Sequence, residues 1–165
     1  MEDYKGFLET SIGILEVSAD KDALTSVSFL FDEPKKANPN HLVEEALFQL
    51  KAWFGGKLKT FDLPLQQRGT EFQQKVWKIL CEIPFGRTTT YGVLAHKLGD
   101  KNLMRAVGTA NGANPFAIVV PCHRVIGAGG SLVGYAGGLP RKKWLLEFEG
   151  AEVVNQLELF KTPLQ

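Results

Sequence analysis

The residues best equipped for chemistry in this 165-residue sequence are an adjacent cysteine and histidine, in the string Pro121-Cys122-His123-Arg124-Val125. A cysteine attacks as its thiolate, so a reactive one needs a base or a positive field beside it. His123 can be the base and Arg124 the cation, and Glu149, at the end of the last helical segment, can orient the imidazole if the fold brings it near. Neighbours on an extended strand point to opposite faces, so His123 serves Cys122 only if the chain turns after Pro121 or a water bridges them. The alternative is a buried, inert cysteine beside a surface histidine. The other cysteine, Cys81, falls in a helical stretch with no base next to it and reads as core. The two cysteines form no CxxC pair, which argues against a disulfide scaffold or a four-ligand zinc site and fits a reducing compartment.

The elements that must position these residues follow from periodicity. Ile12 and Ile14, then Val27, Phe29 and Phe31, recur at period two around the turn-like Ala19–Asp22, which predicts a β-hairpin. Leu42, Val43, Ala46, Leu47, Leu50 and Trp53 then mark a helix capped by Asn40 and stopped by Gly55-Gly56. The polar stretch Phe61–Gly69 has no clear period and reads as a linker, so the expected domains are residues 1–66 and 67–165. The second part opens on a capping box, Thr70-Glu71-Phe72-Gln73, with Phe72, Val76, Ile79 and Leu80 on one helical face. A short helix from Tyr91 with Leu94, Ala95 and Leu98 follows, then one from Leu103 to about Asn111 capped by Asn102. That spacing is what a helix-turn-helix needs, although ordinary helical hairpins share it. The apolar run Phe116–Val120 predicts a buried strand delivering Cys122 into a loop. Six glycines between Gly127 and Gly138 predict a mobile or tightly turned loop bearing Tyr135, and Pro140–Phe148 a last helix with Trp144, Leu145 and Phe148 inward.

Composition limits the possible partners. With 44% hydrophobic and 22% charged residues the chain is an ordinary folded protein of one or two domains, without the roughly 18-residue apolar run a membrane helix needs. Its opening, MEDYKGFLET, has acids where a secretory signal carries a basic region, so a cytoplasmic place is expected, or a nuclear one in a eukaryote. The net charge of +1 conceals an asymmetry: residues 1–66 hold 7 basic against 11 acidic side chains, while Arg68–Lys143 hold 11 against 3. An acidic first part and a basic second part hint at a polyanion such as nucleic acid, with a plain solvated basic face as the other meaning.

Taken together, GTEFQQKVWKIL, IPFGRTTTYGVLA, RAVGTANGANP, PCHRVIGAGGSLVGYAGG and KWLLEFEG, in this order over residues 64–150, resemble the O6-alkylguanine-DNA alkyltransferases, also called methylated-DNA-protein-cysteine methyltransferases. The first sixty residues are similar only in architecture. The resemblance implies an α/β (α+β) fold, with a small ribonuclease H-like N-terminal domain before a mostly helical domain carrying the helix-turn-helix. It implies repair of double-stranded DNA by moving the alkyl group from O6 of guanine to Cys122, once per molecule, with O4-alkylthymine as a further candidate lesion. By the same likeness His123 is the base acting through a water, Glu149 holds its tautomer, and Tyr91 turns the 3′ phosphate and donates to N3 of guanine. Arg105 is the finger that fills the emptied stack after base flipping. Ala106, Gly108 and Thr109 lie beside it on a helix that enters the minor groove. Asn114 is a hinge, and Val125, Tyr135, Ala136 and Gly137 belong to the guanine pocket. The chain is expected to act as a monomer, with no cofactor and no membrane.

Two departures from the family pattern stand out. Ala136 replaces a serine that many relatives use to hydrogen-bond O6, and residues 1–66 hold no cysteine and only His41, so no metal is expected. Two rivals come from other classes: a cysteine hydrolase using Cys122, His123 and Glu149, and a non-enzymatic helix-turn-helix binder. The first has no use for Arg105, the second none for Cys122.

Overall fold

The computed structural model describes residues 3–151. They form two compact units, one comprising the chain up to Arg68 together with Pro115–Val119, the other Gly69–Asn114 and the chain from Val120 onward.

The first unit is an antiparallel sheet, β1 (Tyr4–Thr10), β2 (Gly13–Ala19) and β3 (Leu24–Phe29), in the order β1-β2-β3, with α1 (His41–Phe54) packed on it. The expected hairpin is therefore β2 and β3, and β1 is an additional strand. Only Gly6 is buried in β1, so the strand shows no apolar alternation; it reads as a strand through its pairing, Leu8 opposite Leu15. Gly6 is needed because a Cβ there would stand 2.7 Å from both Val43 and Leu47 of α1. Phe31, expected on the strand face, lies beyond β3 and is exposed. Asn40 caps α1 as expected, accepting from the Val43 N–H at 3.0 Å, and Val43, Ala46, Leu50 and Trp53 face the core. Part of the supposed linker is tied to the sheet: Leu24 N–H donates to Pro64 O and Gln66 N–H to Leu24 O.

The run Phe116–Val120 is not the strand its apolarity suggested. Only Phe116 pairs, bridging Val27, and the chain then closes a γ-turn at Ile118 (φ +70°), with Val119 N–H donating to Ala117 O at 2.7 Å. Phe116, Ile118 and Val120 are buried at alternate positions, so the pattern reports burial without a ladder.

In the second unit α2 (Glu71–Leu80) begins with the complete Thr70/Gln73 capping box and buries Val76, Trp77 and Leu80. The helix pair is α3 (Tyr91–Lys97), capped by Thr90, and α4 (Met104–Gly112), which packs on it. The Trp77 indole N–H donates to Ala110 O at 2.9 Å, fixing α2 against α4. Asn102 is not the cap between the paired helices. Asp100 takes that place, its carboxylate accepting from Asn102 N–H, because the chain enters a 3-10 turn at Lys101–Leu103 and the cap must stand just before it. Two two-residue strands, β4 (Thr89–Thr90) and β5 (Val125–Ile126), pair in parallel, and α5 (Leu139–Phe148) closes the unit. On α5 the buried side chains are Lys142, Leu145 and Leu146; Trp144 and Phe148, expected inward, stack on each other half-buried at 5.1 Å. Cys81 also departs from expectation: it is exposed, at the C-terminal end of α2. Among the described residues no helix is long and apolar enough to cross a membrane.

Candidate active site

The turn that Cys122 requires is present. Pro121 adopts φ −81°, ψ 62°, an inverse γ-turn closed by Cys122 N–H to Val120 O at 2.8 Å, and Cys122–Arg124 continue as a 3-10 turn. Directly after it comes β5, whose pairing with β4 sets Thr89 beside Val125 and Thr90 beside Ile126. Because Tyr91 follows β4 without a gap, this short ladder draws the start of α3 and the cysteine turn to one place.

Cys122 is 7% exposed and His123 is fully buried. The fold does bring Glu149, 5% exposed at the C-cap of α5, to the imidazole: Nε2 stands 3.1 Å from Oε1. The contact is close but too poorly aligned to count as a hydrogen bond. The other ring nitrogen, Nδ1, is buried and has no partner among the described residues. Arg124 turns out to be the clamp on the carboxylate. Its Nε reaches Oε1 at 2.9 Å and Oε2 at 3.2 Å, Nη2 bonds Oε2, and Nη1 donates to Ile83 O at 2.7 Å. Burial pushes the Glu149 carboxyl up, but bonds from His123 and Arg124 outweigh it and hold the group below its ordinary value. Burial lowers the His123 pKa, partly offset by Glu149, so the imidazole is neutral near pH 7 and fit to accept a proton. Burial also raises the Cys122 thiol, offset in part by the Asn114 side chain and the Lys142 cation, so at rest the group is a thiol awaiting a base.

Around this core, Tyr91 is half-buried and its hydroxyl donates to Val133 O at 3.2 Å. Burial raises its pKa. Asn114 donates to Val120 O at 2.9 Å, tying the two ends of the 115–119 excursion. Val125 is buried in β5, and Ala136 is exposed on the glycine loop next to half-buried Gly137, whose carbonyl accepts from Arg141 at 3.1 Å. The Tyr135 hydroxyl is buried without a partner among the described residues. That loop is tightly turned: Gly127 N–H bonds Ser131 O, Gly138 N–H bonds Tyr135 O, and Gly129, Gly130, Gly134 and Gly138 take positive φ. On α4, Arg105, Ala106 and Thr109 are exposed and Gly108 half-buried, with Arg105 in the first turn.

Two site residues were missed in the sequence. Lys142 is fully buried, its ammonium donating to Val133 O at 2.9 Å and Gly134 O at 3.1 Å, and burial brings its pKa down to about 8. Hidden in the basic string Arg141-Lys142-Lys143, it shares helical spacing with Leu145, Leu146 and Glu149, and that stripe was the available signal. Asn111, 4% exposed in the last turn of α4, donates to Cys122 O at 3.3 Å; nothing in its surroundings in the sequence marked it.

Residues 4–67 match the family described as 6-O-methylguanine DNA methyltransferase, ribonuclease-like domain, and residues 71–151 that described as 6-O-methylguanine DNA methyltransferase, DNA binding domain. The methylated-DNA--protein-cysteine methyltransferase of Methanosarcina mazei is 49% identical over 152 residues, covering 88% of this chain and 96% of that one. The protein of the same name from Mycobacterium tuberculosis is 44% identical over 159 residues, covering 93% and 96%. The crystal structure of the M. tuberculosis O6-methylguanine methyltransferase matches with a TM-score of 0.81 at 42% identity, over 97% of this chain and 100% of that one. That of the M. tuberculosis OGT in complex with DNA matches with 0.81 at 44%, over 96% and 99%.

Proposed function

The chain belongs to the 6-O-methylguanine DNA methyltransferase family, and from that premise we propose that Cys122 is the acceptor of a single alkyl group taken from O6 of guanine in duplex DNA. The activity is direct reversal of DNA damage by alkyl transfer to a cysteine of the protein, and its partner is DNA. The observation that carries the assignment is the buried line from Glu149 to His123, whose Nδ1 has no partner among the described residues.

The Cys122 proton passes through a water to His123 Nδ1, and the imidazolium so formed is stabilised by Glu149, itself held ionised by Arg124. The thiolate attacks the alkyl carbon; the S–C bond forms as the C–O6 bond breaks, and guanine leaves with the electron pair. Tyr91, already a donor in this structure, gives its hydrogen bond to N3 of the departing base, which is reprotonated from the His123 side. Lys142 adds a cation near the developing thiolate while strapping the Val133-Gly134 segment next to Tyr135. The base must first leave the stack, at a cost of a few kcal/mol, and Arg105 on the exposed face of α4 fills the gap. With Ala136 in place of a hydroxyl residue, O6 recognition falls to backbone amides of the loop. We read the protein as a monomer and, in keeping with its bacterial and archaeal relatives, as cytoplasmic.

The product is a thioether, which water does not cleave, so each molecule acts once. Titration against excess duplex containing O6-methylguanine should plateau at one lesion per active protein, with one methyl mass on the Cys122 peptide. Continued repair past the plateau would make the site that of a turning-over hydrolase, and an unmodified protein after repair would remove Cys122 from the chemistry.

A further inference from the structure

Among the described residues, the large apolar side chains left exposed on the helix pair are Val93, at 37%, and Met104, at 47%. A single apolar side chain on a surface calls for no explanation. Met104 differs in where it stands and how it is held. It is the first residue of α4, directly before Arg105 and one turn before Gly108, where an added Cβ would stand 3.8 Å from the Tyr91 ring. The Met104 methyl in turn is tucked against Gly92, the residue after Tyr91, where an added Cβ would come within 3.2 Å of Cε. Two glycines therefore let α3 and α4 approach closely, and Met104 lies over the start of α3 with its tip anchored and nearly half its surface exposed.

The surroundings of this side chain are basic. Lys97, Lys101 and Arg105 are exposed, and Asp100, the one acid between residues 91 and 112, is engaged as the cap of the turn at Lys101–Leu103. Such a surface suits a polyanion, and an apolar side chain within it suits the least polar part of a nucleotide, the carbon face of the deoxyribose. Methionine is unbranched and adaptable, and it is among the apolar residues that proteins press into a minor groove. We propose that Met104 is a further DNA-contact residue, an apolar ledge beside Arg105 that supports the deoxyribose of the nucleotide turned out of the stack. Arg105 fills the gap, Tyr91 meets the base, and Met104 carries the sugar that must move when the base does. The ledge touches no reacting atom and gives nothing to a substrate that has no sugar.

This rests on the functional reading above, and two measurements separate the contact from the chemistry. Single-turnover alkyl transfer is measured for wild type, Met104→Gln and Met104→Leu, with saturating O6-methylguanine duplex and with the free O6-methylguanine base. Glutamine keeps the length and the helix propensity of methionine but makes the tip polar. Met104→Gln should slow the duplex reaction about fivefold and the free-base reaction less than about twofold, while Met104→Leu stays within about twofold of wild type on both. The loss on duplex should be the same at about 50 and about 200 mM salt, because no phosphate contact is removed. The chain has two methionines, Met1 and Met104, so carbon-13 methyl labelling isolates the second, assigned by its loss in Met104→Leu. In Cys122→Ala that signal should shift on binding the O6-methylguanine duplex. An unmoved signal, a glutamine variant as fast as wild type on duplex, equal losses on duplex and free base, or a leucine variant as slow as the glutamine one would overturn the proposal. So would a signal that moves with protein concentration in the absence of DNA, which would make a second copy of the chain the occupant of the ledge. Absence of transfer by the wild type, with the signal still shifting on duplex, would instead refute the functional assignment and leave the contact standing.

Discussion

Replacing Arg124 by methionine removes the clamp from Glu149 and leaves a carboxylate that is 5% exposed with His123 as its remaining charge partner. Three of the four guanidinium contacts go to that carboxylate, and the fourth to Ile83 O, so the substitution also strips a buried carbonyl. Breaking a buried ion pair by removing one partner costs about 3–5 kcal/mol. For a chain of this length that corresponds to a fall in Tm of about 6–20 °C, read by circular dichroism. The pH dependence has a definite sign. The Glu149 pKa is lowered in the folded protein, so its contribution is complete above the unfolded value and is lost as pH falls through the folded one. The gap between wild type and Arg124→Met should therefore be widest at neutral pH and close as the solution is acidified below the ordinary carboxyl value of 4.5. Removing both charges, in Arg124→Met/Glu149→Leu, should recover most of the lost stability while leaving alkyl transfer impaired. A single variant within about 3 °C of wild type, or a double variant no better than the single, would refute the claim that an unpaired buried charge is what the clamp prevents.

Lys142→Met should slow alkyl transfer yet raise stability at pH 7 by up to about 3 kcal/mol, since its pKa is held at about 8 instead of 10.5 and the folded protein bears the cost of the buried charge. That advantage should shrink as pH rises from 8 to 10.5, and a gap independent of pH would show that the charge is not what matters. Cys122→Ala should bind alkylated duplex without repairing it, whereas Cys81→Ala, at an exposed helix end, should repair at the wild-type rate; methyl recovered on Cys81 by mass spectrometry would contradict this. Arg105→Ala should lower the rate on duplex at least about tenfold more than the rate on a free alkylguanine base, and equal losses would place it in the pocket. Because the folded His123 pKa lies below 6.5, transfer should be flat from about pH 6.5 to 8 and fall below that range; a rate still rising about tenfold per pH unit above 7 would point to free thiolate without a base.

What could be read from the sequence was whatever rests on local chemistry. The Thr70 capping box, the Asn40 cap and the helix pair at Tyr91 and Arg105 all follow from a few residues in order, and the structure keeps them. The grouping of Cys122, His123 and Glu149 could only be stated as a condition on the fold, since the line is completed by a contact between residues far apart in the chain. β4 and β5 are two residues each, too short to carry any period, and β1 buries no side chain that would give it one. Lys142 and Asn111 escaped for a related reason. A lysine in a basic string reads as solvated, and an asparagine near a helix end reads as a stop, until tertiary packing places each beside the cysteine turn.

The β4–β5 ladder has a consequence for how the molecule comes into being. Thr89 pairs with Val125, and Glu149 lies farther along the chain still, so the site is built from contacts of high sequence separation. Such contacts form only after the entropy of closing the intervening loop has been met, and they form late. A nascent chain that has already exposed Cys122 and His123 has as yet no carboxylate to orient the imidazole and no buried cation beside the sulfur. Until the far end of the unit closes over it, the cysteine lacks the base and carboxylate on which the proposed transfer depends.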